Sequence, residues 1–284
     1  MILSMLLALQ VSVADERDAV RNSANNRKAQ LSAQQLEVQK INNKPPSPTE
    51  VRLNQCLDIS VENAAKGVSF ANEWKFNGGG FFADHCLGFA YSLDNKFNAA
   101  MGAFDKAATS AVNAGDSRAP RFWLQAANAA IAAFKPDKAV EYVDSALASG
   151  ALEGVPLGEA HLDKARALVA LKQEEKAGAE LLLAQKYVPK DPLVWLLSAT
   201  LSRRLGKIDQ ARQEITEAAL LVPRDPSVAL EQGNIEAEAG NYDAAEKFWR
   251  NVLSVTRDGS TAQTAQSLLN QLEQNRQAAK TDTQ

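Results

Sequence analysis

Residues 189–226 read PKDPLVWLLSATLSRRLGKIDQARQEITEAALLVPRDP. The Pro-Lys-Asp-Pro at the start of this stretch returns as Pro-Arg-Asp-Pro at its end, so Asp191 and Asp225 are 34 residues apart. Between them, apolar residues recur at every third or fourth position, which predicts two amphipathic helices. Gly206 separates the two helices and suits the left-handed conformation that ends many helices. The stretch therefore predicts one helical hairpin that is bounded on both sides by Asp-Pro.

The same spacing recurs along most of the chain. Ala211 lies 34 residues after Ala177 and 34 before Ala245. With short insertions between them, five units of this kind are predicted, at residues 81–114, 120–153, 158–191, 192–225 and 226–259. A fixed period of this length is the signature of stacked repeats.

These units resemble the tetratricopeptide repeat. The residues that carry the resemblance are Gly88, Tyr91, Ala100 and Phe104 in the first unit, Trp123, Ala127 and Ala139 in the second, Ala165, Ala177 and Leu181 in the third, Trp195, Ala199, Ala211 and Ile215 in the fourth, and Gly233, Ala245 and Trp249 in the fifth. The resemblance covers about two-thirds of the chain. It implies an all-α fold, a right-handed α-solenoid of tetratricopeptide-like helical hairpins. Each hairpin has a first helix, A, and a second helix, B, and small residues are expected where A crosses B.

Further segments flank the five units. Residues 49–80 are predicted to form a degenerate hairpin of the same type, and residues 260–280 a C-terminal capping helix that buries Leu268 and Leu272. Residues 15–48 form a polar segment that ends in the Pro-rich linker Pro45-Pro46-Ser47-Pro48.

The first residues predict export. Residues 1–14 contain the apolar run MILSMLLAL, followed by small residues, Ser12 and Ala14, at the positions that a signal peptidase recognises. The run is far shorter than the roughly 20 residues of a membrane-spanning helix. A signal peptide over 1–14 would place the mature chain in the periplasm. The chain is therefore expected to be an exported bacterial member of the family. Because no Lys or Arg precedes the run, an apolar N-terminus of a cytoplasmic chain is the alternative.

The chain has only two cysteines, Cys56 and Cys86. In the array that the resemblance implies, they lie on successive A helices, which pack side by side. We therefore expect a disulfide, which would close a loop of about 30 residues and stabilise the fold by roughly 3 kcal/mol. Two buried free thiols are the alternative.

The composition and the motif content disfavour several classes of function. The formal net charge is −3 and the isoelectric point is near 5.6, so the charge balance does not favour a nucleic-acid partner. Two Cys and two His are too few for a zinc ribbon or a metal cluster. The sequence contains no nucleophile elbow, no phosphate-binding loop with its lysine and no HExxH motif, so neither a cofactor nor catalysis is expected.

The resemblance implies that one side of each A helix lines a concave groove that binds a protein or peptide partner. Arginine can hold carboxylates there, and asparagine can hold a peptide backbone. The candidate partner-binding residues are Phe82, His85, Phe89, Arg121, Asn128, Arg166, Arg203, Arg204 and Asn234. The sequence thus predicts a non-enzymatic protein-protein interaction scaffold in the bacterial cell envelope. Two alternatives stay open: a repeat subunit of a pilus, secretion or cell-wall assembly machine that contacts partners outside the groove, and a cytoplasmic regulator or co-chaperone.

Overall fold

The computed structural model describes residues 46–281, with side chains to residue 278, and in this range the chain forms thirteen α-helices and no β-strand. The all-α prediction is therefore confirmed. The predicted signal peptide, residues 1–14, and nearly all of the segment 15–48 lie outside the described residues. The helices are α1 (Pro48–Glu62), α2 (Ala64–Phe76), α3 (Gly80–Leu93), α4 (Phe97–Asn113), α5 (Ala119–Ala132), α6 (Pro136–Ala148), α7 (Gly154–Ala170), α8 (Glu174–Tyr187), α9 (Pro192–Arg204), α10 (Ile208–Leu221), α11 (Pro226–Glu238), α12 (Tyr242–Val255) and α13 (Ser260–Thr281).

These helices belong to two compact units. The N-terminal unit, described from residue 46 to residue 188, contains α1–α8, and the C-terminal unit, described from 189 to 281, contains α9–α13. Within each unit every helix packs against the next one along the chain. In addition, α1 packs on α3 and α5 on α7 in the N-terminal unit, whereas α9 packs on α11 and α11 on α13 in the C-terminal unit. The 34-residue spacing runs through the boundary at residue 188 and gives no sign of it.

The Asp-Pro pairs begin helices, as the sequence predicts. The Asp191 carboxylate accepts a hydrogen bond from the Leu193 N–H at 3.0 Å and so caps α9. Asp225 caps α11 in the same way, by accepting from the Ser227 N–H at 2.7 Å. The proline after each aspartate occupies the first helical turn, where no N–H is needed.

The small residues lie buried where helix A crosses helix B. Ala127 and Ala199 on the A helices have no exposed surface. The matching alanines of the B helices have none either: Ala100, Ala139, Ala177, Ala211 and Ala245. In the first unit a Cβ atom on Gly88 would lie 2.6 Å from the Phe104 ring, so the two helices approach more closely than any larger residue allows.

A residue in the left-handed backbone region connects helix A to helix B in each of the five predicted units. In the C-terminal unit it is Gly206, with φ 72°, or Gly240, with φ 80°. In the N-terminal unit the same position holds Asn95, Phe134 and Lys172, with φ of 55°, 58° and 58°. An L-residue in this conformation loses about 1–2 kcal/mol relative to a right-handed one. The turns of the N-terminal unit are therefore strained.

Replacing Lys172 with glycine is expected to raise the free energy of unfolding by about 1 kcal/mol. Glycine removes the left-handed strain and so stabilises the folded state. Its greater conformational freedom stabilises the unfolded chain as well, but by a smaller amount. Because Lys172 is exposed, little packing is lost. Urea unfolding measures the change. The matched reverse substitution, Gly206→Ala, should lower stability by a similar amount, and a Lys172→Gly variant less stable than the wild type would contradict the strain argument.

Candidate partner-binding groove

The nine predicted groove residues are divided between the two units. Phe82, His85 and Phe89 lie on α3, Arg121 and Asn128 on α5 and Arg166 on α7, whereas Arg203 and Arg204 lie on α9 and Asn234 on α11. Each unit also contains a buried acidic side chain that the sequence analysis does not select. These two acids decide what the predicted arginines can do.

Asp163 on α7 ties α7 to α5. One of its carboxylate oxygens accepts a hydrogen bond from the Asn128 amide at 2.7 Å, and the other accepts from the Arg166 guanidinium group at 2.8 Å. Asp163 is 2% exposed, and the Arg166 side chain is 12% exposed. We call Asn128, Asp163 and Arg166 the N-terminal clamp. The structure thus brings Asn128 and Arg166 together and neutralises the Arg166 charge within the unit.

Glu231 on α11 does the same in the C-terminal unit. Its two carboxylate oxygens accept hydrogen bonds from Arg203 Nε at 2.7 Å and from Arg203 Nη2 at 3.3 Å. Asn234 donates to Glu231 at 3.3 Å and accepts from the Trp249 indole N–H at 3.2 Å. Glu231 is 4% exposed. We call Arg203, Glu231, Asn234 and Trp249 the C-terminal clamp, which joins α9, α11 and α12.

The sequence contains a signal for both acids. Asp163 and Glu231 occupy the sixth position of their units, where the other units have Cys86, Gln125 and Leu197. Both are buried, and a buried carboxylate is stable only with a partner of opposite charge. An acid at a position that is otherwise apolar or neutral therefore predicts an arginine or lysine nearby.

His85 lies in an aromatic pocket of the N-terminal unit. The centroid of its ring is 4.9 Å from that of Phe122 and 6.0 Å from that of Phe104. Its Nδ1 atom is shielded from solvent and has no hydrogen-bond partner among the described residues. Burial, with a smaller contribution from the positive charge of Arg118, lowers the pKa of His85 from 6.5 to about 4. His85 is therefore neutral at physiological pH.

Acid is expected to destabilise the protein through His85. The unfolded chain binds a proton here near pH 6.5, whereas the folded chain binds it only near pH 4. The stabilising contribution is therefore complete above pH 6.5 and is lost as the pH falls toward 4. Because the residue is not fully enclosed, we expect a loss of about 1–2 kcal/mol.

Urea unfolding of the wild type and of His85→Phe at a series of pH values measures this loss. The variant keeps an aromatic ring in the pocket but cannot take up a proton, so its stability should fall less between these two pH values. Identical pH dependence in the two proteins would show that His85 titrates normally.

Arg118 is a part of this site that sequence reasoning missed. It lies in the insertion before α5, and its guanidinium carbon is 4.3 Å from the centroid of the Phe82 ring. Asp116 accepts two hydrogen bonds from it, at 2.8 and 2.6 Å. These bonds and, to a smaller extent, the charge of Glu50 raise the pKa of Arg118.

Several apolar side chains at predicted groove positions of the N-terminal unit are exposed or partly exposed. Leu93 is 41% exposed, and Phe82, Phe89 and Leu124 are partly exposed. Arg121 on α5 is exposed as well. We call this surface, formed by Phe82, Phe89, Leu93, Arg121 and Leu124, the N-terminal groove. With its clamp neutral, it presents hydrophobic side chains and the charge of Arg121.

The predicted disulfide between Cys56 and Cys86 is present in the structure. It joins α1 to α3, with the two Cα atoms 6.2 Å apart. Both cysteines have no exposed surface and belong to one hydrophobic cluster with Trp74 and Leu87. The first hairpin is thus covalently attached to the helix that begins the groove.

Outside the groove, the C-terminal unit has a cleft of about 700 Å³ between α12 and α13. Arg276 in this cleft is paired with Asp243 and Glu246. Within residues 46–281 no three His, Cys, Asp or Glu side chains are grouped so that they could bind a metal ion. In the same range, none of the helices has the length and apolar character needed to cross a membrane.

No family model and no curated protein matches this sequence. Solved structures do match the fold. PilW, a widely conserved type IV pilus biogenesis factor, superposes with a TM-score of 0.64 at 16% identity, over 78% of this chain and 99% of PilW. PilF of Pseudomonas aeruginosa gives a TM-score of 0.62 at 13% identity, over 78% of this chain and 99% of PilF. YrrB, a TPR protein with an unusual peptide-binding site, gives 0.51 at 19% identity, over 69% of this chain and 96% of YrrB.

Proposed function

We propose that this chain, which has the fold of the tetratricopeptide-repeat proteins, is a non-enzymatic scaffold that binds a segment of another protein in its N-terminal groove. The observation that carries the proposal is the set of exposed and partly exposed apolar side chains on α3 and α5, together with the exposed charge of Arg121. Apolar surface that is left exposed and rimmed by polar residues is typical of an interaction site.

In this proposal the clamps and the open residues have different roles. Arg166 pairs with Asp163 within α7, while the Asn128–Asp163 bond joins α5 to α7 and the Arg203–Glu231 pair joins α9 to α11. Because the receptor surface is formed before the partner arrives, little conformational entropy is lost on binding. The N-terminal groove and Asn128 at its edge then make the direct contacts with the partner. His85 packs against Phe122 and supports that side of the groove. In the C-terminal unit, Arg204 is proposed as a direct contact, and Asn234 is proposed to contact the partner in addition to its bonds within the C-terminal clamp.

A charge reversal at Arg121 tests the groove. Arg121 is exposed, so Arg121→Glu should fold normally, whereas a change at Arg203 would leave the buried Glu231 without its partner. Chemical crosslinking in the cells of origin identifies the partners, and we expect their yield to fall at least about tenfold in Arg121→Glu. Lys106→Glu, an exposed charge reversal on α4, is the matched control. An unchanged yield of crosslinked partners in Arg121→Glu would show that the groove does not bind them.

A second candidate is a repeat subunit of a pilus, secretion or cell-wall assembly machine that contacts its partners outside the groove. The observation that favours it is the similarity to PilF and PilW along nearly the whole length of each. In that case both charge-reversal variants should keep their partners. A cytoplasmic regulator or co-chaperone is the third candidate function.

We propose that the mature chain works in the periplasm. The buried disulfide supports this location, because structural disulfides persist in oxidising compartments. The signal-like pattern of residues 1–14 supports it independently. N-terminal sequencing and thiol titration of the protein from its own cells should give a start at Asp15 and no free thiol. A start at Met1 with two free thiols would place the chain in the cytoplasm.

A further inference from the structure

A short insertion interrupts the repeat pattern between the first and second predicted units. It covers residues 115–119, joins α4 to α5 and contains Asp116 and Arg118. Insertions in repeat arrays form loops on one face, which is often the face that binds a partner. The contacts of Asp116 and Arg118 connect this insertion to the N-terminal groove.

Asp116 fixes the Arg118 side chain against the groove. Its Oδ1 atom accepts hydrogen bonds from the Arg118 backbone N–H at 2.9 Å and from Arg118 Nε at 2.8 Å. Its Oδ2 atom accepts from Arg118 Nη2 at 2.6 Å. The guanidinium carbon is 4.3 Å from the centroid of the Phe82 ring and 5.5 Å from that of Phe81. A guanidinium group that is bonded along one edge and stacked on a ring has a defined orientation.

The opposite edge of the Arg118 guanidinium group stays open. Nε and Nη2 donate to Asp116, whereas Nη1 makes no hydrogen bond with any residue in the part of the chain that the structure describes. The Arg118 side chain is 38% exposed, in contrast to Arg166, which is 12% exposed in the N-terminal clamp. Arg118 can therefore donate hydrogen bonds from its Nη1–Nη2 edge to a bound ligand.

Arg121 adds a positive charge close to this edge. Its backbone N–H donates to the Arg118 carbonyl oxygen at 3.0 Å, so the two arginines lie one helical turn apart, and Arg121 is exposed. Since Asp116 cancels one of the two positive charges, the three residues keep one. A carboxylate matches this arrangement, because it is negatively charged and its two oxygens accept the parallel N–H bonds of a guanidinium edge.

We propose that Arg118 determines the specificity of the N-terminal groove, by selecting partner segments in which an acidic residue is next to an apolar one. The open edge of Arg118 and the charge of Arg121 bind the carboxylate, and the partly exposed Phe82 ring contacts the apolar side chain. Asp116 is a positioning residue, because it orients Arg118 without touching the partner. This inference rests on the proposed function, since it requires that the groove binds a protein segment.

Selection from a random heptapeptide library displayed on phage tests this specificity. The whole chain is used as wild type, as Arg118→Gln and as the control Lys106→Gln, an exposed change on α4. We expect the wild type and the control to enrich peptides with Asp or Glu next to an apolar residue. Arg118→Gln should still enrich apolar residues, but with fewer acidic ones. Peptides without acidic residues on the wild type, or equal acidic enrichment on Arg118→Gln, would overturn the proposal.

The affinity for the peptide that the wild type enriches most provides the second measurement, by calorimetric titration. Arg118→Gln and Arg118→Lys should each weaken binding about tenfold, because lysine keeps the charge but lacks the planar edge. Replacing the acidic residue of the peptide by its amide should weaken binding to the wild type by the same factor, and this control does not depend on how a variant folds. Full affinity of Arg118→Lys would overturn the proposal, because charge alone would then explain the selection.

The positioning role of Asp116 is tested in the same titration. Asp116→Asn should weaken binding in the wild-type background but not in the Arg118→Gln background, because Asp116 acts only through Arg118. If the two losses were additive, the role assigned to Asp116 would be wrong.

Failure of this inference and failure of the proposed function give different results. If the wild type enriches apolar peptides without acidic residues and Arg121→Glu loses its partners, the groove binds a partner and only the role of Arg118 is lost. If the wild type enriches no common peptide and Arg121→Glu keeps all partners, the groove is not a binding site and both proposals are lost.

Discussion

Gly233→Ala is expected to lower the free energy of unfolding of the C-terminal unit by about 3 kcal/mol. Gly233 lies on α11 where this helix crosses α12, and a Cβ atom there would overlap the indole ring of Trp249. The ring has no room to move, because Trp249 is 1% exposed and its N–H is bonded to Asn234 in the C-terminal clamp. The added methyl group must therefore displace the ring or push the helices apart.

Urea unfolding, followed by tryptophan fluorescence and far-UV circular dichroism, measures this effect. The matched control is Gly102→Ala within α4, where a Cβ atom would have no neighbour within 4 Å. Alanine is the better helix former, so the control should gain up to about 1 kcal/mol. If Gly233→Ala proved as stable as the wild type, the close crossing of α11 and α12 would be wrong.

Cys56→Ala/Cys86→Ala is expected to destabilise the N-terminal unit by about 3 kcal/mol. The disulfide closes a loop over a sequence separation of 30, and the loss of this constraint raises the entropy of the unfolded chain. Because each hairpin contacts mainly its neighbours, the effect should concentrate at the end that carries the bond. Native-state hydrogen exchange should show amide protection in α1–α3 falling by about a hundredfold.

The C-terminal unit provides the internal control for the cysteine variant. Amide protection in α11 and α12 should stay within about twofold of the wild type, since the disulfide constrains only the N-terminal unit. Wild-type protein produced in a reducing cytoplasm should resemble the variant. Unchanged protection in α1–α3 would mean that hydrophobic packing around Trp74 and Leu87 holds the first hairpin without the bond.

The fold could be predicted because its cause is a local, repeated pattern. A glycine that faces a large aromatic residue, as Gly88 faces Phe104 and Gly233 faces Trp249, indicates how closely two helices pack. A small residue allows the two backbones a close approach that a large residue would prevent. The aspartate of each Asp-Pro pair begins a helix by accepting a hydrogen bond from the backbone N–H two positions later. Neither inference needs information from distant parts of the chain.

The clamps could not be predicted from groove positions alone. Arg166 and Arg203 have the spacing of residues that face a partner, but their side chains turn to Asp163, which is close in sequence, and to Glu231, which is 28 residues away. The choice between a partner's carboxylate and an internal one depends on burial, and the periodicity of one helix does not report burial by the next. Only the acidic character of the sixth position signalled the internal partner.

The strained turns escaped prediction for a different reason. Gly206 and Gly240 indicate a left-handed residue by their identity, whereas Phe134 and Lys172 adopt the same φ without any such mark. In those units the conformation is imposed by the packing of the two helices that the turn connects. Tertiary contacts thus override the local preference of the side chain.

Both clamps are almost sealed from solvent, since their Arg and acidic side chains are at most 12% exposed. Dissolved ions weaken attraction only between charges that they can surround, and at moderate ionic strength they do so beyond about 8–10 Å. Added salt should therefore loosen contacts made through the exposed Arg121 and leave the clamps unaffected. A salt gradient would therefore release a bound partner while the receptor stays folded. A single elution would thus distinguish the charges that bind the partner from the charges that hold the fold.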